Sequence, residues 1–282
     1  MNGTLLPERI DAHLAPDEIV LRRRTGSCRL AVSPDPDAPS WYAALAALDR
    51  ALHAEAPRHP GSRLPRALAT AVAPRLHIVL AGQYARWLLL PWQAEIASPV
   101  EVDALARLRL REIYGDTARH WQVSCAERPP GEATPVCAID KELLDGLRAL
   151  AAQHGCRLES VRPLFAAAAD HWRKKLPRGV VWFGLLDKAH LSLGLLHDRR
   201  WLALHSESID PADHAAGEAI AGLMARSALA AGVATDAARL LLCGDGAGEC
   251  VTTLPGAAVS PLGAALPWLP AAAANSQRES AA

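Results

Sequence analysis

Hydrophobic positions along the chain change period several times, and each change predicts an element. Residues 19–33 (IVLRRRTGSCRLAVS) read as two short strands around a turn at Gly26, closed by Pro34, Pro36 and Pro39. Trp41, Leu45, Leu48 and Leu52 recur at spacings of three and four, which predicts a helix from Trp41 to Ala54. From Leu76 the period falls to two: Leu76, Ile78 and Leu80 alternate with His77 and Val79. Gly82 supplies a turn and YARWLLLPW returns, so 76–92 reads as a hairpin. Ser98-Pro-Val-Glu101 is a capping box with proline at the first helical position; its helix runs to Tyr114 and stops at Gly115.

Strands follow at Trp121–Cys125 and Val136–Ile139. Asp140 caps a helix whose Leu143, Leu144, Leu147, Leu150 and Ala151 form an apolar stripe, and Gly155 takes the left-handed position after it. Next come a strand (CRLESV), a helix from Pro163, a hairpin from Val180 to Leu196 and a strand at Trp201–Ser206. Asp210-Pro211 opens a helix to Val233, and Arg239–Cys243 is a strand running into GDGAG. Two hairpins, at 76–92 and 180–196, each followed by a helix, point to a duplicated α/β fold with mixed sheets.

Composition narrows the function. Half of the 282 residues are hydrophobic and 57 are alanine, so a large core can form. Lys plus Arg equals Asp plus Glu at 30 each, which argues against a nucleic-acid binder. Six cysteines form no C-x-x-C pair, as expected of a reduced cytoplasmic protein. The N-terminus lacks the apolar run of a secretory signal. The uncharged stretch Val251–Gln277 carries Pro255, Pro261, Pro267 and Pro270, so no transmembrane segment is expected.

Motif screens for hydrolase, zinc, Walker and EF-hand sites are empty, and the histidine spacings suggest no metal site. Gly244, Gly246 and Gly248 after a strand form the sharpest glycine signal. Such a turn either lets a phosphate approach the backbone or simply lets the chain turn. No acid occurs from Val251 until Glu279, which excludes a Rossmann ribose site. Arg22–Arg24 and Arg173-Lys174-Lys175 with Arg178 are basic runs, read first as solvated faces. Trp87 and Trp92 flank the leucines of a strand that also carries Arg86; core packing competes there with a docking surface.

The stretch from Leu143 to Ser206, above all VVWFGLLDKAHLSLGLLHDRRW (180–201), resembles the second lobe of the duplicated actin-like (ribonuclease H-like) fold. Specifically it is similar to the PilM, GspL and MshI proteins of type IV pilus and type II secretion assembly platforms. HIVLAGQYARWLLLPW (77–92) resembles the equivalent hairpin of the first half, and LLLCGDGAG (240–248) the adenosine-contacting glycine turn. The resemblance implies two lobes with mixed sheets and flanking helices, at 1–165 (its N-terminal segment irregular) and 166–265, with a flexible tail at 266–282.

ATP-binding members of that fold hold Mg-ATP with an Asp-x-Gly turn in each lobe. Here the first-half turn is assigned to Ala81-Gly82-Gln83, without aspartate, and the second is Asp187-Lys188-Ala189, with alanine in place of glycine. The expectation is therefore a non-catalytic scaffold without cofactor, docking protein partners of an inner-membrane assembly platform, cytoplasmic and peripheral through a partner. Arg86, Trp87 and Trp92 are the partner-binding candidates. The alternative is an actin-fold ATP-binding enzyme, an ATPase or small-molecule kinase, with Asp187, Gly244, Gly246 and Gly248 at the nucleotide. Asp187 discriminates: beside the glycine turn it favours nucleotide, and paired on the surface with Lys188 or Arg199 it favours the scaffold.

Overall fold

A computed structural model describes residues 7–54, 73–96, 98–209, 216–233, 238–245, 247 and 257–269. The chain divides into two compact units, Met1–Ala85 with Ile139–Pro163 and Arg86–Ala138 with Leu164–Ala282. Residues 86–138 thus group with the C-terminal half, not with the stretch they adjoin in sequence.

The first unit is a five-stranded sheet with two helices. Its strands are β1 (Arg9–Leu14), β2 (Glu18–Arg23), β3 (Gly26–Ala31), β4 (Arg75–Leu80) and, from later in the chain, β8 (Arg157–Pro163), in the order β3-β2-β1-β4-β8. β1 to β3 are antiparallel neighbours, whereas β4 lies parallel to both β1 and β8. Helix α1 (Trp41–Ala54) buries Trp41, Ala44, Ala47, Leu48, Ala51 and Leu52 against β1 and β2. The strand β1 replaces the irregular N-terminal segment expected from sequence. Ile10, Ala12 and Leu14 are fully buried, but Asp11 and His13 between them are buried too, which hides the strand's alternation.

The second unit repeats that topology. β9 (Val180–Asp187), β10 (His190–His197), β11 (Arg200–Ser208), β12 (Ala238–Gly244) and β13 (Ala257–Gly263) form a sheet in the order β11-β10-β9-β12-β13. Again the first three are antiparallel neighbours, and β12 is parallel to β9 and β13. Pro261 cannot donate to a ladder, and it is tolerated because β13 is an edge strand. Helix α5 (Ala216–Ala230) packs Ile220, Leu223 and Met224 with Trp182, Leu193 and Leu240 of the sheet.

A smaller module precedes this sheet: β5 (Ala85–Leu90), α2 (Pro99–Tyr114), β6 (Trp121–Cys125) and β7 (Thr134–Asp140). Its sheet runs β5-β7-β6 around a core of Leu90, Ala106, Leu110, Val123 and Val136. β4 and β5 are therefore not a hairpin. A buried 3-10 turn at Gly82–Tyr84 carries the chain from one sheet into another. Helix α3 (Lys141–Gln153) begins at the Asp140 cap, whose side chain accepts from the Glu142 amide at 2.8 Å, and α4 (Leu164–Trp172) follows β8.

Candidate functional site

Within the second unit the C-terminal ends of β9 and β12 lie side by side. Gly244 is in register with Leu186, and the Asp245 amide donates to the Leu186 carbonyl at 2.8 Å. Asp187, the next residue along β9, is only 5% exposed, so it stands buried beside the glycine turn and not on the surface. Lys188 takes a left-handed φ of 54° and lets β10 return at His190, directly opposite Asp187. Gly246 and Gly248 lie outside the described residues.

Gly244 has a structural reason of its own. Its φ is 98°, and a Cβ there would meet the Leu186 carbonyl oxygen at 2.0 Å. Close approach of two parallel strands requires glycine here whether or not a phosphate is ever bound.

Sequence patterning missed the polar pair beside Asp187. His190 is 6% exposed and its Nε2 lies 2.7 Å from Ser206 Oγ, while its Nδ1 and the buried Ser192 Oγ have no hydrogen-bond partner among the described residues. Burial first, then the Arg86 charge, pushes the His190 pKa down to about 4, so the ring is neutral at pH 7. The signal was present as two polar residues at i and i+2 inside an apolar strand.

The docking candidates separate. Arg86 is half-buried and near enough to His190 to shift its titration, and is not a surface arginine. Trp87 packs edge-on against Phe165, with ring centroids 5.6 Å apart, and its Nε1 is buried. Only Trp92 of the three is strongly exposed, at 49%.

The first unit contains the matching strand ends, at other residues than the sequence pattern suggested. The Ala81 amide donates to the Leu14 carbonyl at 2.9 Å, as Asp245 does to Leu186. Ala81 thus corresponds to Asp245, and Ala15 to Asp187. Ala81-Gly82-Gln83 is the counterpart of the glycine turn, and the counterpart of Asp187-Lys188-Ala189 is Ala15-Pro16-Asp17. Ala15 has no side-chain oxygen where Asp187 has a carboxylate; the acid of the first turn is Asp17, two residues on. Among the described residues no three His, Cys, Asp or Glu side chains are arranged to hold a metal ion.

This repeated topology is the actin-like ATPase fold. A Bacteroides thetaiotaomicron protein of unknown function with that fold is similar at 10% identity and a TM-score of 0.54, over 90% of this chain and 91% of the other. The PilM–PilN type IV pilus biogenesis complex contains a chain similar at 17% identity and a TM-score of 0.55, over 91% and 88%. The cytoplasmic domain of EpsL, an inner-membrane component of the Vibrio cholerae type II secretion system, aligns more loosely, at 10% identity and a TM-score of 0.46 over 91% and 87%. Identities this low make the likeness one of fold. Neither a family model nor a curated protein matches the chain.

Proposed function

We propose that this chain is a non-catalytic actin-like adaptor that docks protein partners at a pilus or secretion assembly platform. The observation that carries the reading is the pair of matched turns: Ala15 stands where Asp187 stands in the other half, and Ala189 follows where glycine would admit a phosphate. The PilM chain with a similar fold was solved with its partner PilN, which supports docking as the activity. Trp92 is the exposed candidate for such contact. No described helix is long and apolar enough to cross a membrane, so recruitment through a partner fits this reading.

A second reading, an ATP-binding enzyme, is favoured by one observation: Asp187 is buried beside Gly244 and not spent on the surface. A melt in millimolar Mg-ATP separates the two. A ligand at a hundred times its Kd stabilises by about 2.7 kcal/mol, roughly 5–10 °C for a chain of this size. The adaptor predicts no shift. A Mg-dependent rise that Asp187→Ala abolishes would establish the enzyme reading in its place.

A further inference from the structure

Many described cations of this chain pair with acids. Arg9 and Arg22 hold Asp11, Arg107 holds Asp103, Lys141 and Arg148 share Asp145, and Arg200 binds Glu132. One end of the second unit departs from this. Helix α4 stops at Trp172, and Arg173, Lys174 and Lys175 follow it as exposed residues before the buried Leu176 pins the chain. Exposed Arg178 then leads into β9.

The turn between β10 and β11 reaches the same place. The Asp198 amide donates to the Gly179 carbonyl at 3.1 Å, and the Gly179 amide donates to Asp198 Oδ1 at 2.8 Å. Arg199, left-handed at φ 68°, follows Asp198 and is exposed. Arg173, Lys174, Lys175, Arg178 and Arg199 make no ion pair among the described residues. Asp198 is an acid in their midst, and Val180, 38% exposed, adds an apolar spot. A chain with no net charge has gathered five cations on two hydrogen-bonded turns and one helix end, against two acids there, Asp198, which feels the Arg178 charge, and exposed Asp170.

We infer that this end of the second unit rests against an anionic lipid surface. The cations are diffuse: two are lysines on flexible stems, and none is locked into a fork that would read one carboxylate. A smeared headgroup charge suits that arrangement better than an acidic peptide with fixed acceptors. Nucleic acid is disfavoured because single strands need exposed aromatic platforms, and the nearby Trp172 is half-buried with its Nε1 donating to the Ala264 carbonyl at 3.3 Å. Each cation near an anionic leaflet raises partitioning roughly fivefold. A single electrostatic signal is weak and salt-sensitive, so it assists a partner and does not replace one. The inference stands independently of the adaptor reading.

The test is co-sedimentation of the full chain with phosphatidylglycerol vesicles and with phosphatidylcholine vesicles, at low and high salt. Binding should be confined to the anionic vesicles and vanish at high salt. The Lys174→Glu/Lys175→Glu/Arg178→Glu variant should bind at least roughly tenfold more weakly with an unchanged melt. A control reversal on α2, Arg107→Glu/Arg109→Glu, should retain binding. No binding to anionic vesicles, equal binding to both lipids, or equal loss in the control would overturn the inference. So would tighter capture of a polyglutamate peptide or of an oligonucleotide by the same five residues.

Discussion

A methyl group on Gly244 would sit 2.0 Å from the Leu186 carbonyl oxygen while the backbone holds a φ of 98°. Strain of that kind costs on the order of 1–3 kcal/mol before the clash is counted. Gly244→Ala should therefore lower the unfolding free energy by at least about 2 kcal/mol in a urea melt with no ligand present; an unchanged midpoint would mean that the glycine is there only for a ligand. His190 makes a prediction in pH. The unfolded chain takes up its proton near pH 6.5 and the folded chain near 4, so across that window the unfolded state binds more protons. The stability this ring contributes is present above pH 6.5 and is lost as pH falls toward 4. His77 and His205, also depressed chiefly by burial, act in the same direction. His190→Gln should flatten part of the acid limb of the melting curve, and superimposable limbs would rule out a desolvated neutral ring. The sequence showed the glycine turn and the polar His190 and Ser192 in an apolar strand, but not the burial of His190, which depends on what packs over β10.

Local elements were the most readable ones. The Glu101 amide donates to Ser98 Oγ at 3.2 Å and the Ser98 amide to Glu101 Oε2 at 3.0 Å, so a four-residue motif defined a helix start without tertiary help. Removing it with Ser98→Ala should cost about 1 kcal/mol in a urea melt, and a change within error would mean that the exposed cap is idle. Helix α1 and the α3 stripe were legible for the same reason. Strand pairing was not. Alternation identified β4 and β5 as strands, but their nearness in sequence suggested a hairpin that the buried turn at Gly82–Tyr84 prevents. β1 escaped notice because Asp11 looks like surface. Burial would raise its pKa, yet Arg9 at 2.8 Å and Arg22 at 2.7 Å supply the charge that holds it below the ordinary carboxylate range.

At the scale of the molecule, the strand order β3-β2-β1-β4-β8 recurs as β11-β10-β9-β12-β13, so the duplication inferred from two hairpins is real while one of those hairpins is not. The misassigned hairpin shifted the first-half turn from Ala15-Pro16-Asp17 to Ala81-Gly82-Gln83; neither Ala15 nor Ala81 carries a carboxylate, though Asp17 does. The module at 86–138 interrupts the first unit in sequence and joins the rest of the second unit through the Arg200–Glu132 ion pair and a run of aromatic contacts. Trp87 of β5 meets Phe165 of α4, which packs against Phe183 of β9 at 5.5 Å and Trp201 of β11 at 5.7 Å. Phe165 is almost wholly buried, so Phe165→Ala should cost about 3–5 kcal/mol. The module's own core, Leu90, Leu110, Val123 and Val136 with Tyr114 and Trp121 packed at its edge, is too little to hold so short a segment alone. Losing the tie should therefore not release a stable fragment. Far-ultraviolet circular dichroism and tryptophan fluorescence should shift together to a lower urea midpoint in the variant. If instead the two signals separate, with a second transition at the wild-type position, the module folds independently and Phe165 is not what joins it to the sheet of β9 to β13.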